Sequence, residues 1–486
     1  MRIITVSIFL VCLCFCSLAQ TGDFEQIYNQ FRNQSVDSYN SFRANANREY
    51  SEWMRQAWNQ YKAIPSIPKP KDESKPPIVI NEDESTVIIK DQSISVIVAP
   101  TPEPTPRPKP FEPIRENPIS NPTFVHFSFY ELSIKIRFEP CQNFNLYSLD
   151  NGAISDVWLS LSTDAYNNTI RDCLEYREQY CLSDWAYIQL IYNFSCKAVQ
   201  GTSQRNILSA YLLCQSGYRV RLGKSASTIY FLYASPHLLY DIPSFKLDSD
   251  YFYAYECSES ELQIFDMPFQ NESTISFWIP KAQRLGNSLT SIRKISSKQY
   301  PEVSIEVSVD KNLIDFYNTY PTSSIEDNFM TRWAMYANTP IAENLRKNLY
   351  PNLRSLITGY NQLQGVSRIL NLVQTGFVYE YDDKVWGCDR AFFSEETLYY
   401  PYCDCEDRSI LFSRLIRDLF DLDVILVYYP GHLATAVAFT DSVSGDYITI
   451  NGKRYIVCDP TYIGAPVGLT MPGMENSTAK AILLSK

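Results

Sequence analysis

Proline most strongly limits how this chain can fold. Many of its 28 prolines lie between Pro65 and Pro122, in stretches such as "PSIPKPKDESKPP" and "PTPEPTPRPKPFEP". Because proline fixes φ and has no N–H, this composition favours extended polyproline geometry and cannot form a core. The stretch therefore predicts a linker. Inside it, "STVIIKDQSISVIV" alternates enough to indicate a short hairpin or a strand donated to a neighbouring sheet.

The N-terminus has the pattern of a secretory signal. Arg2 precedes the apolar run "IITVSIFLVCLCFCSL", and the small residues ending at Ala19 would permit cleavage there. The run is shorter than the ~20 residues that a membrane span needs. We therefore expect no stable membrane span and a location that is secreted, periplasmic or at the cell surface.

Charge and motif content limit the partners. The formal net charge is −11, whereas a nucleic-acid binder needs clustered Lys and Arg to displace counterions. The sequence therefore predicts no nucleic-acid partner. It contains no Gly-rich nucleotide loop, P-loop or calcium loop, so we expect no cofactor and no metal.

Pattern and composition divide the chain into six segments. An aromatic repeat from Phe24 to Trp58, with spacings near three and four, indicates an amphipathic helix that packs or contacts a cell-surface partner. The predicted segments are 1–19, signal peptide; 20–63, amphipathic helical segment; 64–122, Pro-rich linker; 123–258, globular α+β domain; 259–327, β-rich connector; and 328–486, a second globular domain.

In the last segment, a cysteine stands at a predicted helix start. Cys405 opens "CEDRSILFSRLIRDL", whose apolar residues form one helical stripe and whose first turn is acidic. Unpaired N–H groups and the positive end of the helix dipole favour the thiolate at such a position. Cys403 lies in the loop just before the helix.

A histidine and an aspartate follow at equal spacing. "DVILVYY" predicts a strand, Pro430-Gly431 a turn and His432 the start of the next strand; a hairpin around Asn451-Gly452 then leads to Asp459. Steps of 27 residues separate Cys405 from His432 and His432 from Asp459. A thiol nucleophile, an imidazole base and an orienting carboxylate are the groups that acyl transfer requires. His432 and Asp459 can meet only if their strands lie side by side and antiparallel, rather than in a simple meander.

Three segments, "DCEDRSILFSRLIR", "YPGHLATAV" and "YIVCDPTYIGAPVG", resemble the transglutaminase-like superfamily of papain-type cysteine enzymes. The resemblance covers the C-terminal third of the chain. It implies an α+β domain in which a helix packs on an antiparallel sheet. It also implies that Cys405 is the nucleophile, His432 the base and Asp459 the residue that orients it.

By the same resemblance, the chain acts on amide bonds of proteins or peptides through a thioester. It would be a peptidase or amidase, or else a protein-glutamine acyltransferase. The abundance of water outside the cell favours hydrolysis. The oxyanion would be held by the Cys405 N–H and a donor from the preceding loop, for which Tyr400 and Tyr402 are candidates. Cys403 departs from the family pattern, and Cys388 is a potential disulfide partner for it.

An earlier stretch repeats the pattern of the proposed catalytic region. "RNILSAYLLCQSGYRVRLGKSASTIYFLYA" aligns with "RSILFSRLIRDLFDLDVILVYYPGHLATAVAF" as a helix, a polar break and two strands. Thr202 then stands in the place of Cys405, and Ile229 in the place of His432. We hypothesise that residues 123–258 are a degenerate copy of the same fold; a chance match between two helix–strand–strand units is the alternative.

Two other functions fit the same residues. Cys403, Cys405, His432 and Cys458 have the ligand types and number of a structural zinc site, although paired zinc cysteines are usually more widely spaced. Alternatively, the chain is a catalytically inactive secreted scaffold or binding protein. The rate at which Cys405 reacts with a thiol reagent would distinguish an active enzyme from such a scaffold.

Overall fold

The structure is a computed structural model. It describes residues 42–67, 91–99, 106–139, 146–240, 242–325, 328, 330–387, 389–474 and 478–485. The expected signal peptide, Cys141 and Cys388 lie outside these residues, so the Cys388–Cys403 pairing stays a prediction. In the part of the chain that is described, no helix is long and apolar enough to cross a membrane.

The chain is an α+β protein, as the sequence predicted, with helices packed on antiparallel sheets. The N-terminal part provides one helix and three short strands: α1 (residues 42–57), β1 (Ala63–Pro65), β2 (Ser93–Ile94) and β3 (Ile97–Ala99). Helix α1 lies within the predicted amphipathic segment and buries Tyr50 and Met54 against the next unit. A cell-surface partner for this segment stays a prediction.

The first globular unit runs from a hairpin through four helices to a sheet. Its elements are β4 (Phe124–Phe129), β5 (Leu132–Arg137), α2 (Asn151–Leu161), α3 (Asn167–Gln179), α4 (Asp184–Ala198), α5 (Thr202–Gln215), β6 (Val220–Lys224), β7 (Ile229–Ser235), β8 (His237–Leu239), β9 (Ser244–Leu247), β10 (Asp250–Ala254) and β11 (Glu261–Phe265). Strand β11 is part of this sheet, although the sequence analysis placed its residues in the following connector.

The second unit begins inside the expected connector and continues to the end of the chain. Its elements are β12 (Arg293–Ser296), β13 (Ser304–Val307), α6 (Lys311–Tyr317), β14 (Ser323–Ile325), α7 (Thr331–Asn338), α8 (Glu343–Ile357), α9 (Gln362–Thr375), β15 (Val378–Tyr379), α10 (Asp382–Val385), α11 (Ser394–Tyr399), β16 (Tyr402–Cys403), α12 (Cys405–Phe420), β17 (Val424–Tyr429), β18 (His432–Val437), β19 (Tyr447–Ile450), β20 (Lys453–Cys458) and β21 (Lys480–Leu483).

The two units have the same strand order. The first sheet contains β11-β6-β7-β10-β9 and the second contains β21-β17-β18-β20-β19. In both, the first two strands after the long helix form an antiparallel hairpin, the fourth lies beside the second, and the fifth lies beside the first. Two unrelated helix–strand–strand units would not be expected to have all five strands in the same order.

The agreement extends to the elements before each sheet. The hairpin β4–β5 packs on α4 and α3, and the hairpin β12–β13 packs on α9 and α8 in the corresponding order. Helix α4 then packs on α5, as α9 packs on α12. This common chain tracing supports the proposal that the units arose by duplication, and it aligns Thr202 with Cys405 as the sequence comparison did.

The N-terminal segment connects the edges of both sheets. Strand β1 pairs with β11, and Ile67 forms a bridge with Ser244 at the opposite edge of the first sheet. In the second sheet, β2 pairs with β19 at one edge and β3 pairs with β21 at the other. Only two residues separate β2 from β3, so the second sheet must curl until its edges nearly meet.

These strands lie inside the segment that the sequence analysis predicted to be a linker. The prediction that a strand is donated to a neighbouring sheet matches β2 and β3. Short apolar stretches between prolines are sufficient because the open sheet edges offer unpaired N–H and C=O groups. The proline content alone therefore predicts a linker and does not indicate that the segment also contributes strands to the sheet.

The hairpin predicted at Asn451-Gly452 is confirmed. Strands β19 and β20 are joined by Asn451 and Gly452, whose φ angles are 52° and 77°. Two consecutive positive φ values are what a two-residue hairpin turn requires, and Asn-Gly tolerates them best. The turn brings the end of β20 back beside β18.

Removing a buried side chain from β2 should destabilise the protein. Ile94 is 2% exposed in the core under the second sheet, whereas Ile97, three residues later, is 67% exposed. We expect Ile94→Ala to reduce the free energy of unfolding by ~2–4 kcal/mol, because it leaves a cavity. Ile97→Ala deletes the same atoms and should change it by less than ~0.5 kcal/mol. Chemical denaturation would measure both, and equal effects would mean that β2 is not held in the sheet.

Candidate active site

The helix that carries the predicted nucleophile has a well-defined start. The Asp404 carboxylate accepts a hydrogen bond from the Glu406 N–H at 3.2 Å, and the Asp404 N–H donates to the Asp407 carboxylate at 3.1 Å. Asp407 also accepts from the Phe392 N–H at 2.8 Å. These bonds satisfy N–H groups around the first turn and fix Cys405 as the first residue of α12.

The first turns of α12 are attached to the histidine strand. The Ser409 hydroxyl donates to the Leu433 carbonyl at 2.8 Å, and α12 packs along β18. Cys405 precedes Ser409 by one helical turn and so shares its face, while His432 is next to Leu433. Cys405 and His432 are both buried, at 3% and 0% exposure.

His432 and Asp459 form a direct, buried hydrogen bond. His432 Nε2 and Asp459 Oδ2 are 2.8 Å apart. Strands β18 and β20 are antiparallel, with Thr435 opposite Cys458, so His432 at the start of β18 lies at the same end of the sheet as Asp459. The side-by-side arrangement that the sequence analysis required is therefore the one found.

The loop after Asp459 holds the carboxylate in place. Asp459 Oδ1 accepts hydrogen bonds from the N–H groups of Thr461 at 2.9 Å and Tyr462 at 3.1 Å. The buried Gln374 amide nitrogen on α9 lies 3.0, 2.8 and 3.1 Å from the carbonyl oxygens of Asp459, Tyr462 and Ala465. Sequence reasoning missed Gln374; its signal was a polar residue on the buried stripe of an amphipathic helix.

The second imidazole nitrogen remains available for proton transfer. His432 Nδ1 is buried and has no hydrogen-bond partner among the described residues. The Tyr429 ring stacks on the imidazole, with centroids 6.4 Å apart. Because Nε2 is bound to Asp459, Nδ1 is the position at which His432 could accept a proton.

The sulfur of Cys405 is a thiol and lies beside a buried ionic network. Its Sγ donates to Glu406 Oε2 at 3.0 Å. Glu406 and Arg332 are both inaccessible to solvent, with a guanidinium nitrogen 3.9 Å from the carboxylate. The Arg332 guanidinium also donates to Asp389 at 2.7 Å. A buried cation thus compensates the carboxylates beside the sulfur.

Several carboxylates meet near the start of α12. Burial raises the pKa of Asp407 well above its ordinary value, and the neighbouring charges of Asp382 and Glu406 raise it further. Three overlapping groups have ligand atoms within 4.8 Å of one another: Asp404, Cys405 and Glu406; Asp382, Asp389 and Glu406; Asp382, Asp404 and Asp407. Such oxygen-rich sets are the type that hard cations bind.

The four candidate zinc ligands do not converge. In the described part of the chain, no three of them have ligand atoms within 4.8 Å of one another. Cys403 Sγ instead accepts a hydrogen bond from Arg408 Nε at 3.4 Å. His432 is committed to Asp459 through Nε2. The geometry therefore gives the zinc alternative no support.

Tyr400 and Tyr402, the two tyrosines that the sequence suggested as oxyanion donors, have different surroundings from each other. The Tyr400 hydroxyl donates to Asn318 Oδ1 at 2.9 Å, and Tyr402 is 42% exposed in strand β16. A third tyrosine, Tyr379, is the register partner of Cys403, and its ring centroid is 5.3 Å from the Arg408 guanidinium. The two-residue strand β15 that carries Tyr379 has no recognisable sequence pattern.

The electrostatic surroundings of Tyr379 keep its phenol protonated. Burial raises the pKa of Tyr379 far above its ordinary value, and the nearby charges of Cys405, Asp404 and Glu406 raise it further. A neutral phenol is a hydrogen-bond donor. The phenol of Tyr379 is therefore a hydrogen-bond donor in the electrostatic neighbourhood of Cys405.

The corresponding place in the first unit has none of these groups. Thr202 and Ile229 occupy the helix and strand starts, and Ala254 pairs with Leu232 as Cys458 pairs with Thr435, so Tyr255 takes the position of Asp459. The Tyr255 ring stacks on Phe231 at 5.1 Å and lies 4.8 Å from Tyr192. An aromatic cluster thus occupies this region of the first unit.

No protein-family model, no curated protein and no solved structure matches this chain. The transglutaminase-like assignment therefore rests on the three sequence segments quoted above.

The two buried cysteines near the candidate site should be unreactive at neutral pH. Burial raises the pKa of Cys403 to about 11, and it raises that of Cys458 as well. Since the thiolate is the species that reacts, iodoacetamide should leave both unmodified at about pH 8 and label Cys403 only as the pH approaches its pKa. Mass spectrometry after timed alkylation would measure this. Guanidinium-unfolded protein is the control, and rapid labelling of native Cys403 would contradict the assigned burial.

Proposed function

We propose that the chain is a cysteine-dependent acyl-transfer enzyme of the transglutaminase-like type, exported from the cell, that acts on amide bonds of proteins or peptides. The observation that carries the proposal is the buried hydrogen bond between His432 and Asp459 at the end of the sheet on which the Cys405 helix begins. These residues supply a base held by a carboxylate and a thiol at a helix start.

In the proposed first step, the Cys405 proton passes to His432 Nδ1 and the sulfur attacks the carbonyl carbon of the amide. The carbon–nitrogen bond then breaks, and the leaving amine takes the proton from His432, which leaves a thioester on Cys405. Asp459 accepts the hydrogen bond from Nε2–H, which fixes the tautomer and stabilises the imidazolium. The thiol exchanges its hydrogen bond with Glu406 for one with His432 before the attack.

The thioester is resolved by a second nucleophile that His432 deprotonates. Attack by water gives a carboxylic acid and makes the enzyme a peptidase or amidase. Attack by a primary amine gives a new amide and makes it a protein-glutamine acyltransferase. The abundance of water in an extracellular setting favours hydrolysis, and both outcomes use the same three residues.

The tetrahedral intermediate of each step carries a negative oxygen. Two donors would stabilise it: the N–H of Cys405 at the positive end of α12, and the hydroxyl of Tyr379. The raised pKa of Tyr379 supports this role because the phenol keeps its proton throughout the working pH range. Arg408 holds the ring from one side and is itself fixed by the Gln374 and Phe377 carbonyls.

Replacing the nucleophile should abolish turnover. We expect Cys405→Ala to reduce kcat by at least ~10³-fold on glutamine-containing peptides, with or without an amine donor. Cys403→Ala is the matched control because it removes a second buried thiol from the same segment, and it should stay within ~10-fold of the parent. Mass spectrometry of the peptides would detect deamidation, cleavage and amine incorporation. Equal product from the parent and Cys405→Ala would leave an inactive scaffold as the better description.

Removing the Tyr379 hydroxyl should slow acyl transfer without slowing alkylation. We expect Tyr379→Phe to lower kcat by ~10²-fold, since one oxyanion donor is lost. The rate at which iodoacetamide modifies Cys405 should not change, because alkylation creates no oxyanion. Tyr402→Phe is the control and should leave kcat unchanged. A parallel loss of alkylation in Tyr379→Phe would show that the residue positions Cys405 instead.

A further inference from the structure

A cleft separate from the candidate active site lies between the second unit and the segment that joins the two units. It encloses about 730 Å³ between the segment Lys281–Arg284 and helix α8. The lining includes the apolar residues Pro340, Ile341 and Pro351. A volume of this size accommodates an organic ligand of moderate size.

The walls of this cleft are strongly basic. One carboxylate, Glu343, lies among five cationic side chains: Lys281, Arg284, Arg346, Lys347 and Arg354. Lys347 pairs with Glu343 at 2.8 Å, which leaves four cations in excess over the carboxylate of the lining. The whole chain carries a net charge of −11. The positive charge of the cleft is therefore opposite in sign to the net charge of the protein.

The cations converge from both sides of the cleft. Lys347 chiefly lowers the pKa of Glu343, and Arg284 and Arg346 lower it further, so cations of both walls act on the same carboxylate. The Arg346 guanidinium lies 5.5 Å from the ring centroid of Tyr350. Arg354 donates to the Asp418 carbonyl at 3.0 Å. Two of the guanidinium groups are therefore held by aromatic or carbonyl contacts.

The cleft continues into a second space and is remote from Cys405. A cavity of about 310 Å³ shares Gln283, Arg284, Glu343 and Lys347 with it and adds the carboxylate of Asp310, so the cationic part of the site is the larger cleft. Arg354 contacts the carbonyl of Asp418, near the far end of α12. At ~1.5 Å per helical residue, the start of that helix is ~20 Å away. A ligand in the cleft would not occupy the proposed catalytic site.

We propose that this cleft binds an organic polyanion that carries two or more phosphate, sulfate or carboxylate groups. Guanidinium groups bind such oxyanions through paired N–H donors, and ammonium groups bind them as point charges. Several anionic groups are required because the cations lie on both sides of the cleft, on the segment Lys281–Arg284 and on helix α8. The three oxyanion types share this chemistry, so the experiment separates them.

The test uses the purified full-length chain at low ionic strength, with inorganic tripolyphosphate, a fully sulfated disaccharide and citrate as separate probes in isothermal titration calorimetry. At least one should bind with micromolar to millimolar affinity, and binding should weaken as salt is added. Lys281→Glu with Arg346→Glu should raise the Kd of the bound probe by at least ~10-fold. The matched control, Lys294→Glu with Lys298→Glu, makes the same change in net charge at exposed sites outside the cleft and should leave the Kd unchanged.

Loss of affinity in the cleft variant alone supports the proposal, and the probe that binds tightest identifies the anionic group. Equal weakening in the cleft and control variants would overturn it, because binding would then follow net charge. Absence of binding by all three probes at millimolar concentration would also overturn it. If charge reversal lowers the melting temperature of the protein, Lys281→Gln with Arg346→Gln replaces it and is judged by the same comparison.

Discussion

The antiparallel pairing of β18 with β20 is the constraint on which the rest of the candidate site depends. It places the start of one strand beside the end of the other, so that His432 meets Asp459 at 2.8 Å. Moving either strand by one residue would turn one of the two side chains to the opposite face. The Asn451-Gly452 turn fixes β20 against β19, its neighbour on the side away from β18.

Helix α12, which carries Cys405, packs along the strand that begins with His432. Its position on β18 is set by the hydrogen bond from Ser409 to Leu433 and by a stripe of apolar side chains. Its start is set independently by the carboxylates of Asp404 and Asp407. Two separate anchors, one at each side of the first turn, therefore fix the start of the helix that carries Cys405.

The comparison of the two units separates the scaffold from the chemistry. Both have a hairpin on two helices, a third long helix and a sheet with the same order of five strands. Only the second unit has a thiol, an imidazole and a carboxylate at the three corresponding positions; the first has Thr202, Ile229 and Tyr255. The fold alone does not create a site, since side chains at a few positions decide what the scaffold can do.

Sequence reasoning worked best for local features. It predicted the start of α12 at Cys405, the turn before His432 and the hairpin at Asn451-Gly452, because each depends on residues that are neighbours in the chain. It missed the support from Gln374, which acts on carbonyls far along the chain. It also missed Tyr379, which lies in a strand too short to have a pattern.

The sequence by itself determined the local elements, the α+β class and the three residues that acyl transfer would need, because periodicity, capping and turn preferences are encoded over a few residues. Only the tertiary structure decided that β18 lies beside β20, that β11 completes the first sheet, and that β2 and β3 cover opposite edges of the second. Strand pairing uses backbone N–H and C=O groups that are the same in nearly every residue, so its partners over long distances leave little trace in the sequence.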